Sequence, residues 1–170
     1  MTDGITHPDW DRMPAPVDTA KDWRYMRLAL EVARMSKCVR AQYGTVIVSE
    51  EGLVVTTAFN GKPRGACNDG VCYREGLPPN SADKPNCCIH SEQNALMFSS
   101  VSARRGGTIY VSGIPCKDCA LLIMQSGIRR LVYLDNTEGH RGNSDDEFWA
   151  DYGVPIERIA LESIGGVEHG

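Results

Sequence analysis

Two short motifs, about two dozen residues apart, constrain this chain more than anything else in it. His90-Ser91-Glu92 comes first and Pro115-Cys116-Lys117-Asp118-Cys119 second. One imidazole and two thiols are borderline-to-soft donors, and together they make three ligands for a metal ion. Three protein ligands leave a fourth tetrahedral position open, whereas a structural site normally closes with a fourth Cys or His. Any fold this chain adopts must therefore bring residue 90 and residues 116–119 close enough to share one ion. Both motifs also fall where helices are expected to begin. Pro115 suits a helix start, where a missing N–H costs nothing. Cys116 and Cys119 are three apart, which puts both sulfurs on one side of the first turn. The positive end of the helix dipole there favours thiolate over thiol.

The chain has 170 residues, enough for one domain with a sizeable core, and its 42% hydrophobic and 24% charged content is ordinary for a soluble protein. No apolar run approaches the roughly 18 residues of a membrane span, so no membrane partner is expected. The polar, proline-bearing segment 1–16 has no signal-peptide core and reads as an extended arm, reaching to about residue 20. A formal net charge of -4 disfavours a general nucleic-acid binder, which shows a basic face. Seven cysteines without a secretory signal favour metal binding or catalysis over a disulfide framework, and point to the reducing cytoplasm.

Apolar residues Trp23, Met26, Leu30 and Ala33, with Ala29 alongside, recur at helical spacing and predict a first helix over 22–37. The β-branched run 45–48, the turn 49–52 and a second strand over 54–59 predict an antiparallel hairpin. Residues 60–86 are rich in Gly, Pro, Asn, Asp and Cys, and a loop of that length is usually functional or metal-stapled. A helix over 90–100, a strand over 108–112, a helix over 116–126 and a strand over 131–135 follow. A short helix over 147–152 and a last strand over 158–164 complete the pattern. The β-α-β alternation implies parallel strands joined by right-handed crossovers. The expected architecture is a three-layer α/β/α sandwich around a mixed five-stranded sheet. The run Ala120-Leu121-Leu122-Ile123-Met124 makes nearly every face of the 116–126 helix apolar. Such a helix is buried on all sides, either within the domain or partly by another subunit.

The order H-x-E…P-C-x-x-C is the pattern of zinc deaminases that act on nucleobases. Two thiolates offset the charge of Zn²⁺, His90 donates as the neutral ring, and bound zinc can bring the pKa of a water from ~15.7 to roughly 7. Glu92, two residues from His90, is placed to move a proton from that water to a ring nitrogen and then to a leaving amine. That is hydrolytic deamination, and proton shuttling of this kind contributes about 10²–10⁴ in rate. A lone C-x-x-C would more often be a structural zinc half-site or a redox pair, and a lone H-x-E carries nothing; the combination carries the reading.

Over about residues 23–134 the chain resembles the deoxycytidylate (dCMP) deaminase family of the cytidine deaminase-like superfamily. Four stretches carry the resemblance: Trp23-Arg24-Tyr25-Met26 with the helix after it, Ser36-Lys-Cys-Val-Arg40 with Gly44-Thr-Val-Ile-Val48, Ala58-Phe-Asn-Gly-Lys-Pro63, and His90-Ser-Glu-Gln-Asn-Ala95 with 115–119. The resemblance implies conversion of dCMP to dUMP for thymidylate synthesis. It also implies a homo-oligomer, often a hexamer, activated by dCTP with Mg²⁺ and inhibited by dTTP through the N-G-x-P loop. By position Asn60 would contact the deoxyribose, the backbone at Ser91 would hold the pyrimidine carbonyl, and Glu92 would bond N3 and the amine. Read without the resemblance, Asn60 is either a polar group that orients a ligand at a strand end or an ordinary Asn-Gly turn residue.

The chain departs from the family in several places. Ser91 replaces the usual Ala between His and Glu. Met35 stands where the family usually has an Arg that could contact phosphate. His140-Arg141 replaces a nearby Tyr-Arg, so Arg141 becomes the candidate phosphate partner, on the bidentate chemistry of guanidinium; a solvated loop Arg is the alternative. Ala58-Phe59 replaces Gly-Tyr/Trp. Of the remaining cysteines, Cys38, Cys67, Cys72 and one of Cys87 or Cys88 could form a second, structural zinc site, or could be buried thiols. A tRNA-editing adenosine deaminase shares the zinc motif but wants a basic groove. A non-catalytic zinc or nucleotide-sensing module would have no use for Glu92.

Overall fold

The computed structural model of the chain describes residues 19–66, 76–77, 88–135, 144–154 and 156–162. The elements run α1 (Thr19–Ala33), β1 (Gly44–Val48), β2 (Val54–Phe59), α2 (Ser91–Met97), α3 (Val101–Arg104), β3 (Thr108–Val111), α4 (Lys117–Gln125), β4 (Arg130–Asp135), α5 (Asp146–Tyr152) and β5 (Glu157–Glu162). The strands form one sheet in the order β2-β1-β3-β4-β5. β1 pairs antiparallel with both β2 and β3, while β3, β4 and β5 are mutually parallel. The sheet is therefore mixed and five-stranded, as the alternation of strand and helix patterns implied.

Helices cover both faces. On one face α1 buries Met26 and Ala29 against Val46, Val48, Tyr110, Val132, Leu134 and Leu161. Positions 22, 26, 29 and 33 of α1 are all buried, a stripe at helical spacing that faces the sheet. Gly44 permits this close packing: a Cβ there would collide with the Ala29 carbonyl oxygen and the Ala33 nitrogen. On the other face α2, α4 and α5 pack Ala95, Ala120, Ile123 and Trp149 onto Ile47, Ile109, Val111 and Leu131. Alternation along β1 explains the split. Val46 and Val48 point to α1, while Thr45 and Ile47 point to α2.

Several expected bounds shift. α1 starts at residue 19 and ends at 33, rather than spanning 22–37. The chain turns away early because the Ser36 hydroxyl donates to the Asn60 carbonyl (2.7 Å), which commits 34–36 to a connection instead of another helical turn. The helix expected over 90–100 stops at Met97. Ser100 then caps the separate turn α3 by accepting from the Ala103 N–H at 3.2 Å. α4 is not buried on all sides within one chain: Leu121 and Leu122 are 39% and 45% exposed, while Cys119, Ala120 and Ile123 are buried. Of the expected N-terminal arm, residues 1–18 lie outside the described residues, and α1 takes in 19–20. The last strand begins at 157, one residue early, and positions 163–164 of its expected span lie outside the described residues. No helix among the described residues is long and apolar enough to cross a membrane.

Candidate metal and catalytic centre

The two motifs meet where the fold requires them to. β2 ends at Phe59, and Gly61 continues it by one antiparallel bridge to Ile89, with N–H···O distances of 3.1 and 2.8 Å. That bridge sets His90 beside the end of β2. His90 precedes the first residue of α2, and its backbone N–H donates to Gln93 Oε1 at 2.9 Å, which satisfies one group at the helix start. Asn94 holds the same helix to β2 by donating from Nδ2 to the Phe59 carbonyl (2.9 Å). On the other side, β3 ends at Val111 and Cys116 precedes α4. Ser144 clamps this approach: both its N–H and its Oγ donate to the Pro115 carbonyl at 2.9 Å.

His90 Nδ1 lies 3.5 Å from Cys116 Sγ and 3.4 Å from Cys119 Sγ. All three ligand atoms fall within 4.8 Å of one another. Tetrahedral zinc, with Zn–S about 2.3 Å and Zn–N about 2.0 Å, sets ligand N···S separations at about 3.5 Å. The donor set thus fits zinc in type and in spacing. His90 uses Nδ1, so Nε2 must carry the ring proton when a metal is bound. Electrostatics point the same way. The Cys119 thiol hydrogen-bonds Cys116 and lowers its pKa, against a desolvation that raises it, with His90 adding to the lowering. Cys119 is raised by that same bond and by burial. Cys116 is thus the more acidic of the two thiols, and binding of a cation to both would displace the thiol protons. His90 is raised, first by its hydrogen bond to Cys116, against burial, with the charges of Glu92, Cys116 and Asp118 adding.

Glu92 is 5% exposed, and burial pushes its carboxyl above the ordinary range, against a backbone hydrogen bond and the His90 charge, which both lower it. An acid/base group held closer to neutrality by burial is what proton shuttling requires. Ser91 is fully buried. Its hydroxyl donates to Glu92 Oε2 at 3.0 Å and accepts from Thr45 Oγ1 at 2.8 Å. Tyr43 also lies near the carboxylate: burial raises its phenol, and the Glu92 and Cys38 charges raise it further.

Asn60 is 6% exposed, and its amide is already engaged. Oδ1 accepts from the Tyr43 N–H at 2.8 Å and Nδ2 donates to the Ala41 carbonyl at 3.0 Å. The residue shapes the 41–43 connection and keeps one lone pair and one N–H beyond those bonds. Arg141 lies outside the described residues, as do Cys67, Cys72 and Cys87; Cys38 and Cys88 are half-buried. Sequence reasoning missed Thr45, Tyr43 and Ser144. The readable signal for Thr45 was a hydroxyl in an otherwise apolar, five-residue buried strand. Tyr43 and Ser144 offered none.

Residues 19–135, well over half of the chain, match the family described as the cytidine and deoxycytidylate deaminase zinc-binding region. The deoxycytidylate deaminase of Mycobacterium phage D29 is 32% identical over 136 residues, covering 76% of this chain and 97% of the phage protein. The human deoxycytidylate deaminase is 34% identical over 112 residues, covering 66% of this chain and 63% of the human protein. In fold, the chain is similar to the crystal structure of the dCMP deaminase from the cyanophage S-TIM5 in complex with dCMP and dUMP. That likeness has a TM-score of 0.63 at 21% identity and covers 85% of this chain and 99% of that one. With the metal-ligand geometry, these matches show that the chain belongs to the cytidine and deoxycytidylate deaminase zinc-binding family.

Proposed function

We propose that this chain converts dCMP to dUMP by hydrolytic deamination, releasing ammonia and supplying dUMP for thymidylate synthesis. The observation that carries the proposal is a buried carboxylate, Glu92, next to a three-donor set spaced for zinc. His90, Cys116 and Cys119 would hold the ion. Zinc bound there would supply Lewis acidity, lowering the pKa of a water toward neutrality. Glu92 takes one proton from the water and passes it to N3 of the cytosine as the water oxygen bonds C4; it then takes the remaining hydroxyl proton and delivers it to the amine as the C4–N bond breaks, so that water and dCMP balance to dUMP and ammonia. Ser91 opens α2, so its N–H has no acceptor within the helix and suits the pyrimidine carbonyl. The remaining lone pair and N–H of Asn60 suit the deoxyribose, and the guanidinium of Arg141 suits the 5′-phosphate.

The relatives named deoxycytidylate deaminase support this choice of substrate. Ammonia release measured across dCMP, dCTP, deoxycytidine and CMP tests it; turnover of deoxycytidine matching that of dCMP would remove the nucleotide reading. Glu92→Ala keeps zinc and fold but loses deamination, and retained turnover would refute the role of Glu92. The reading extends to activation by dCTP with Mg²⁺ and inhibition by dTTP, which a dCMP saturation curve of unchanged shape and midpoint would rule out. It takes residues 1–170 as a single cytoplasmic deaminase domain with an N-terminal arm. It also takes the active form as an oligomer of this chain, a hexamer by resemblance. The exposed apolar side chains Met97, Phe98, Leu121 and Leu122 support self-association. Light scattering gives the number of copies.

A further inference from the structure

Thr45 lies on β1, an interior strand of the sheet. β1 is flanked by β2 and β3, and Thr45 pairs with Ala58 on one side and Val111 on the other. It is fully buried. A β-branched side chain on a strand paired along both edges has little freedom at χ1, so the strand fixes the direction of its hydroxyl. A buried hydroxyl needs a partner, and this one donates to Ser91 Oγ at 2.8 Å. Ser91 is itself fully buried and donates onward to Glu92 Oε2 at 3.0 Å. The two bonds set one another's direction. Ser91 has a single proton, so giving it to the carboxylate leaves its oxygen lone pairs to receive the proton of Thr45. A chain of aligned hydroxyls in a water-poor interior strengthens each member.

We infer that Thr45 and Ser91 are positioning residues that hold the Glu92 carboxylate against the metal centre through a two-hydroxyl relay anchored in β1. A glutamate side chain has three rotatable bonds, and helix α2 alone does not choose among its rotamers. The relay pins one carboxylate oxygen, which restricts the other to a narrow arc. Both hydroxyls donate within the relay, so neither is assigned a substrate contact. Their contribution lies in geometry, where a misplacement of about 1 Å can cost roughly 10²-fold in rate. The inference rests on the proposed acid/base role of Glu92.

Three variants and one control test it in the zinc-loaded protein. Ser91→Ala removes the donor to Glu92. Thr45→Val removes the anchoring hydroxyl at nearly constant volume, and Thr45→Ser restores it. The expected result is a kcat for dCMP about tenfold or more lower in Ser91→Ala and Thr45→Val, with KM within about twofold and Thr45→Ser close to the parent. Zinc content by mass spectrometry stays at the parent value, and crystal structures of the two defective variants show the Glu92 carboxylate in more than one rotamer. An unchanged kcat in both variants overturns the relay. So does loss of zinc, or a kcat loss that Thr45→Ser fails to restore, because either marks the pair as structural support only. Glu92→Gln is the control that separates the two ideas. If it retains turnover, the acid/base reading fails; if it is inactive while the relay variants are unaffected, the relay alone fails.

Discussion

Two buried polar clusters occupy opposite ends of the same sheet, and they are built on opposite plans. At the start of β4, Arg130 forms a bidentate pair with Asp22 of α1, Nη1 to Oδ1 and Nη2 to Oδ2, both at 2.8 Å. Tyr110 Oη adds a third bond to Asp22 Oδ1 at 2.8 Å, and Arg130 Nε reaches Glu157 of β5 at 3.0 Å. Both carboxylate oxygens of Asp22 are bonded, and a buried charge meets its opposite. Beyond the far end of β3, the second cluster brings together one imidazole, two thiols and a carboxylate without any Lys or Arg among the bonds that define it. Its two thiols are shifted in opposite directions by their mutual contact, and its carboxyl is pushed up by burial. The first cluster is complete within the protein and serves to tie α1 to β3, β4 and β5. The second sets two thiols and a carboxyl against a single imidazole, and a bound dication would balance it. A buried polar group that is fully partnered stabilises a fold, and one left electrostatically incomplete marks chemistry.

Carboxylate-to-amide and related changes at the two ends should therefore behave differently. The largest effect is catalytic: Glu92→Gln should lower kcat by about 10²–10⁴ while zinc content stays at the parent value, measured by ammonia release and mass spectrometry. Zinc loss in that variant would mean the carboxylate serves the metal rather than the proton. Next, Arg130→Met strands a buried Asp22 and should cost about 3–5 kcal/mol in stability by urea unfolding, with kcat per folded molecule unchanged. A kcat change there would show that the two ends are coupled.

A smaller effect has its sign set by burial. The Glu92 carboxyl is raised in the folded protein, so the fold holds its proton more tightly than the unfolded chain does. The stability this contributes is present below the ordinary carboxylate pKa and is lost as pH climbs through the raised value. After chelation, which removes the opposing zinc charge, Glu92→Gln should thus melt higher than the parent near neutral pH, and the gap should close toward acid. An equal or lower melting temperature would break the contrast with Arg130. The smallest effect is at Ser144. Ser144→Ala keeps the backbone bond to the Pro115 carbonyl and loses the hydroxyl bond, at about 0.5–1.5 kcal/mol in thermal unfolding.

Much of this was legible from local signals. The second strand, 54–59, falls as read, because its β-branched run is bounded by a glycine turn and by Asn60. The helix at Cys116 starts within one residue of the expected place because Pro115 announces it. The metal donors were readable because each motif places its own residues and only one long-range meeting is needed. Other features escaped. The end of α1 depends on a bond from Ser36 to Asn60, 24 positions away. Asn60 was legible as a polar group closing a strand, but its amide bonds to the 41–43 backbone were not. Thr45 and Ser91 lie 46 positions apart, and no periodicity links them.

Residue types and their short-range spacing were enough to declare a metal chemistry, a helix after each motif and a mixed sheet. Those properties depend on interactions within a turn or two of chain, or on the alternation of strand and helix patterns. Tertiary structure alone decided which hydroxyl supports Glu92, which buried charge is neutralised within the protein, and which face of α4 remains open. Each depends on atoms brought together by the closing of the sheet, and the short reach of a hydrogen bond makes their meeting invisible until the chain has folded.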